Sequence, residues 1–194
     1  MDLNNERVKQ IMEESNYICD DGQNVLKHIP EKSQDMLFSC PPYYDLEVYS
    51  DLENDASNQE TYGDFLKILE NAFTNAVKCL KDDRFAVIVV GDVRDDKGAY
   101  YGFPDDIKRI FKNAGMCLYN ELILVDTFGT MGIRANNLMK NRKVCKQHQN
   151  VLVFYKGDIS RIKENFAPID YSEDEINTML DEQGGTEDDS ANME

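Results

Sequence analysis

Five consecutive residues, Ser39-Cys40-Pro41-Pro42-Tyr43, concentrate the chemistry of this chain. They follow the apolar run Met36-Leu37-Phe38, a pattern that predicts a strand ending in a rigid turn tipped by an aromatic ring. Two successive prolines fix φ, remove two donors and push residues 40 and 41 into extended conformations. Their carbonyls are then expected to leave the sheet without partners in it. Ligands of open α/β sheets bind beyond the carboxyl ends of the strands. A flat substrate clamped there would meet a bare carbonyl oxygen, the Cys40 thiol and the Tyr43 ring. The plainer alternative is a proline turn that only ends a strand, with Tyr43 and Tyr44 as half-buried packing.

Charge marks a second place. The chain has 194 residues and a formal charge of −16, which argues against simple wrapping of nucleic acid. The charge is uneven: residues 170–194 hold ten Asp or Glu and no Lys or Arg, leaving about −6 for residues 1–169. Residues 132–146 carry Arg134, Lys140, Arg142, Lys143 and Lys146 with no acid among them. A local basic loop can meet phosphates on an otherwise acidic surface; an ordinary solvated loop is the alternative. The five cysteines form no CxxC pair, and most read as reduced packing residues. With only His28 and His148, neither beside a cysteine cluster, no metal site is expected.

The elements that must position these residues follow from periodicity. Val8, Ile11 and Met12 predict a helix over Asn4 to Glu14, and a short strand is expected at Tyr17-Ile18-Cys19, running into Asp20-Asp21. Residues 23–29 read as a brief helical turn with Val25 and Leu26 inward, before the strand Asp35 to Ser39. Phe65, Leu66, Leu69, Phe73, Ala76, Val77 and Leu80 make one apolar stripe, which predicts a helix over Tyr62 to Leu80. Lys81-Asp82-Asp83 is expected to turn the chain into the buried strand Arg84 to Gly91. A helix over Pro104 to Ala114, strands at Cys117 to Val125 and Asn150 to Tyr155, and a basic loop over Asp126 to Lys146 complete an α/β pattern. In that loop Met131 and Met139 read as packing residues. No apolar stretch approaches 18 residues and the N-terminus lacks a signal-peptide shape, so a cytoplasmic protein away from membranes is expected.

Asp20-Asp21, the segment Asp35 to Tyr43 and Val89-Val90-Gly91-Asp92 together resemble the SAM-dependent DNA amino methyltransferases. The likeness is closest to phage-type and plasmid-type DNA modification methylases and covers roughly residues 15–158. Their signature, a polar residue followed by Pro-Pro and an aromatic, is matched by Cys40-Pro41-Pro42-Tyr43. The resemblance implies an incomplete Rossmann-like class I methyltransferase fold, a mostly parallel sheet flanked by helices, over residues 1–158. Residues 159–194 would be an acidic extension. It implies transfer of a methyl group from S-adenosyl-L-methionine (SAM) to adenine N6 or cytosine N4 of DNA, with adenine favoured. By match, Cys40 and the Pro41 carbonyl hold the amino group, Pro42 stiffens the turn and Tyr43 stacks on a flipped base. Asp20 and Asp21 fall on the family's acidic cofactor position. Gly91 and Asp92 would border the base pocket, with Asp92 equally able to cap Arg94 or the loop backbone. Tyr44, Arg134, Asn136, Asn137, Arg142 and Lys143 are the expected nucleic-acid contacts.

Two departures from the family stand out. Cys40 replaces the usual Asp, Asn or Ser, and a thiol is a poor acceptor; covalent attack on a pyrimidine ring is the alternative use of a cysteine here. The glycine-rich turn that cradles the methionine part of SAM has no counterpart, since Gly22 stands alone and Gly184-Gly185 lies in the acidic tail. A second chain completing the sheet, self-association, or a non-catalytic module binding nucleic acid or a protein partner are the readings this leaves open. A DNA mimic, suggested by the acidic tail, is a further one.

Overall fold

The computed structural model describes residues 17–126, 129, 131–169, 171, 172 and 174–178. The helix expected over Asn4 to Glu14, and Met179 and Leu180 of the acidic tail, lie outside these residues. By internal contacts the chain divides into one compact unit ending at Ile159 and another beginning at Ser160. The second unit contains the helical turn Ile162–Asn165.

The first unit is built on four strands: β1 (Gln34–Ser39), β2 (Leu80–Val90), β3 (Cys117–Val125) and β4 (His148–Lys156). Their order across the sheet is β1-β2-β4-β3. Parallel neighbours need a crossover, and α1 (Tyr62–Cys79) supplies it between β1 and β2. β4 runs against both β2 and β3. Three of the four strands therefore point the same way, as an α/β reading requires. The reversed β4, wedged between β2 and β3, leaves β1–β2 as the parallel pairing.

Helix α1 starts where Thr61 accepts a hydrogen bond from the Asp64 N–H at 3.1 Å, a side-chain N-cap. Its stripe Phe65, Leu69, Phe73 and Val77 is buried. Lys156 Nζ donates to the Val77 carbonyl at 2.8 Å, placing a cation at the helix's negative end. Helix α2 (Phe103–Asn113) buries Phe103, Ile107, Ile110 and Phe111, and Phe111 stacks on Phe154 of β4 at 4.4 Å. These residues close the core over Ala86, Ile88, Val90 and Leu152. Because strand side chains alternate, Met36 and Phe38 point to the other face. They are 57% and 61% exposed.

Several expectations change. The strand at Tyr17-Ile18-Cys19 is not formed; these residues have no regular structure, and Tyr17 and Ile18 are 75% and 53% exposed. A strand needs a paired neighbour, and among the described residues β1 at the sheet's edge pairs with β2 alone. Lys81-Asp82-Asp83 is not a separate turn, because β2 leaves α1 directly. An irregularity between the Gln34↔Leu80 and Met36↔Phe85 pairs absorbs the extra residues, with Asp83 at φ 58°. The basic loop contains a helix, α3 (Met131–Lys140), with no buried residue. Met139 on it is 60% exposed, so it does not pack as expected. Among the cysteines Cys79 is buried, while Cys19, Cys40 and Cys117 are exposed instead of packed. No described helix is long and apolar enough to cross a membrane. Among the described residues no three His, Cys, Asp or Glu are grouped to hold a metal ion.

Candidate active site

At the carboxyl end of β1 the ladder stops at Ser39, where the following prolines can no longer donate. Cys40 is exposed, Pro41 is buried, and Pro42 and Tyr43 are half-buried. Among the described residues no turn or loop backbone hydrogen bond ends on the Pro41 carbonyl. The Tyr43 hydroxyl donates to Gln149 Oε1 at 2.6 Å, and its ring meets Phe103 edge-on at 6.2 Å. Gly91 at the end of β2 permits this ring position, since a Cβ there would stand 3.3 Å from Tyr43 Cε1. Burial raises the Tyr43 pKa, partly opposed by a hydrogen bond with the Gly91 backbone, so the phenol stays a donor. One residue further, Asp92 Oδ1 is buried and has no hydrogen-bond partner among the described residues. Its Oδ2 lies 3.8 Å from Lys146 Nζ, while Arg94 donates to the Gly98 carbonyl at 2.6 Å.

Tyr44 is a correction to the expected nucleic-acid surface. Its φ of 51° turns the side chain back into the core, where it is 9% exposed among Tyr62, Phe65 and Tyr101. Its hydroxyl donates to the Glu60 carbonyl at 3.2 Å. A buried ring committed in this way cannot reach DNA.

A cavity of about 990 Å³ joins the β1 rim to the acidic pair: Asp20, Asp21, Cys40, Pro41 and Pro42 all line it, with Phe73 of α1 among its apolar walls. Asp21 caps the turn Gly22–Lys27, accepting from the Gln23 N–H at 2.9 Å. Asp20 Oδ2 lies 2.6 Å from His28 Nε2, and its Oδ1 accepts from the Asp21 N–H and Asn24. These bonds, that with His28 foremost, hold the Asp20 carboxyl at about 2. Because the value is depressed on folding, the favourable contribution is complete above the ordinary carboxylate value and fades as pH falls toward 2. Carboxyl chemical shifts followed with pH are expected to give Asp20 a midpoint near 2, moving up toward the ordinary value of 3.8 in His28→Ala. An unmoved midpoint would show that His28 does not hold it.

The expected nucleic-acid residues separate. Arg134, Asn136 and Asn137 belong to α3, where Arg134 lies 3.8 Å from Asp126 and donates to the Lys146 carbonyl. Arg142, at φ 57°, and Lys143 follow the helix.

Residues 34–190 match the family model described as DNA methylase, of the N6/N4 type. The chain belongs to the N6/N4 DNA methylase family. No curated protein matches it. Among solved structures, a protein described as a putative DNA modification methylase from Thermus thermophilus, complexed with S-adenosyl-L-methionine, is 20% identical. It aligns over 79% of this chain and 57% of its own, with a TM-score of 0.52. The cytosine-N4-specific PvuII DNA methyltransferase is likewise 20% identical, over 79% of this chain and 56% of its own, at the same TM-score. These likenesses show the methyltransferase fold. This methylase-family chain spans a little over half the length of both.

One residue of the methylase rim escaped sequence reading, and a second was read only as part of the basic loop. Gln149, which holds the Tyr43 hydroxyl, sits at the start of β4, where the Val90↔Asn150 pairing carries it to the end of β2. Lys146 reaches Asp92 from the segment before β4. Gln149 had no local signal, and the pairing of Lys146 with Asp92 had none; strand register brings both there.

Proposed function

We propose that this chain takes part in SAM-dependent methylation of an exocyclic amino group of a DNA base, with adenine N6 favoured because a purine offers Tyr43 the larger stacking face. The observation that carries the reading is the shared cavity in which the Cys40-Pro41-Pro42 rim faces Asp20 and Asp21. Its residues suit the cofactor: Asp20 and Asp21 at one side would accept from ribose hydroxyls, and the apolar wall with Phe73 would cover the rest. When bound, SAM supplies a methyl group made electrophilic by its sulfonium. The Pro41 carbonyl accepts an N–H of the target amino group and so aims the nitrogen lone pair. A fixed acceptor needs little reorganisation as positive charge grows there. Arg134, Asn136, Asn137, Arg142 and Lys143 are the DNA-facing residues of this reading, and Tyr44 is no longer among them.

The outer edge of β1, with Met36 and Phe38 exposed beside it, favours completion of the sheet by a further polypeptide or a second copy. A second function follows from Cys40: a weak acceptor at the key position suits a non-catalytic module that binds DNA. Isothermal titration with SAM separates the two: micromolar binding by the chain alone supports the enzyme, and its absence favours the module or a subunit that needs a second chain to hold SAM. Tyr43→Ala is expected to weaken binding of a duplex carrying an unpaired target base by about 1–3 kcal/mol, the worth of one base–aromatic stack. Tyr43→Phe, which keeps the ring, should retain most of the affinity. Equal losses in both variants would remove the stacking role.

A further inference from the structure

Beside the rim lies a second hollow, of about 550 Å³, between the loop that follows β2 and the segment that precedes β4. Arg94 and Lys97 line it from the first, Arg142, Lys143 and Lys146 from the second, and no Asp or Glu is among its lining residues. Only Lys146 of the five has a carboxylate within 4 Å among the described residues, that of Asp92 at 3.8 Å.

The hollow is held in shape before any ligand arrives. The Arg94 guanidinium lies 3.8 Å over the Tyr100 ring and donates to the Gly98 carbonyl at 2.6 Å. Of the three acids in the same loop, Asp95 accepts from the Ala99 N–H at 2.8 Å, Asp92 faces Lys146, and Asp96 is not among the lining residues. Lys143 crosses Gly98 so closely that a Cβ there would stand 3.2 Å from Nζ, and Gly98 has φ +88°. Arg142 is fixed by its left-handed backbone and by a 2.7 Å bond to the Lys140 carbonyl. Cations facing one small space repel each other, and a ligand with several anionic oxygens relieves that repulsion. On a chain of formal charge −16 such a cluster is not an average property of the surface.

We propose that this hollow binds one phosphate of the DNA backbone, next to the base held at the β1 rim. The inference rests on the DNA reading above and adds Arg94 and Lys97, from a different loop, to its contacts. The hollow opens beside the sheet's rim, since Lys146 both lines it and reaches Asp92 at the end of β2. A phosphodiester flanking an extruded nucleotide falls there, whereas a free phosphate has no need of that proximity.

The test is the salt dependence of duplex binding by the full chain, read by fluorescence anisotropy of a labelled duplex between about 50 and 200 mM salt. Each phosphate neutralised contributes about 0.9 to the slope of log K against log salt. Lys97→Gln with Lys143→Gln should flatten the slope by up to about 0.9, the share of the one phosphate, and Lys97→Gln alone by a measurable part of that should the pair fail to fold. Lys67→Gln with Lys78→Gln, on α1 away from the hollow, should leave it unchanged. An unaltered slope in the Lys97 variants overturns the assignment, as does a wild-type chain that does not bind duplex. Displacement of DNA by millimolar inorganic phosphate at constant ionic strength also overturns it, in favour of a free-phosphate pocket. SAM titration of the same proteins reads the methylation proposal separately: DNA held through this hollow by a chain that takes no SAM sinks methylation by the chain alone and leaves this one standing.

Discussion

Phe103→Ala is expected to lower the unfolding free energy by about 3–5 kcal/mol, the range for truncating a buried phenylalanine. Phe103 is 0% exposed and begins α2. Its ring packs against Phe65 at 5.4 Å and Tyr62 at 6.5 Å, and meets Tyr43 edge-on at 6.2 Å. It therefore joins the core to the site: alanine opens a cavity where three rings converge and removes support behind Tyr43. Against a typical total of about 5–15 kcal/mol, that loss takes a large share of the stability of an ordinary domain. Urea unfolding followed by circular dichroism measures it. Tyr49→Ala, at a side chain 64% exposed, should change stability by under about 0.5 kcal/mol. A loss below about 1 kcal/mol for Phe103→Ala would mean that the start of α2 is not packed as described.

What the sequence disclosed follows the strength of local signals. The stripe from Phe65 to Val77 and the run from Ala86 to Val90 predicted α1 and most of β2, because burial on one face or both writes itself into spacing. The turn at Cys40 to Tyr43 was legible for the same reason, an apolar run stopped by residues that cannot donate. Helix α3 was not, since its residues bury no face and so leave no period to read. Tyr44 was misplaced because a positive φ reverses the side-chain direction, and nothing in an adjacent pair of tyrosines announces it. The acidic pair and the proline rim were each visible, but their common cavity depends on how α1 packs over β1. Lys143 meeting Gly98, and Gln149 meeting Tyr43, depend on strand order. Residues far apart in sequence become neighbours only once β4 is known to lie beside β2.

Cys40 carries the other large expected effect, and its sign is diagnostic. A carboxylate placed there by Cys40→Asp gives the target amino group a charged acceptor beside the Pro41 carbonyl. A hydrogen bond to a charged group is worth about 1.5–3 kcal/mol. Realised in the transition state, that is a tenfold or greater rise in transfer, since about 1.4 kcal/mol is a factor of ten. Cys40→Ser should fall between wild type and Cys40→Asp, and Cys40→Ala should lose little, because a thiol accepts weakly to begin with. Cys40 is exposed, so these exchanges leave no core cavity to confuse the comparison. Single-turnover transfer of labelled methyl from SAM to duplex DNA, with the product nucleoside identified by mass spectrometry, reads the order directly. Covalent attack on a pyrimidine ring predicts the reverse, because none of the three replacements can supply a thiolate. Activity that rises from Ala through Cys and Ser to Asp assigns position 40 to holding a proton on nitrogen; activity confined to Cys assigns it to forming a bond to carbon.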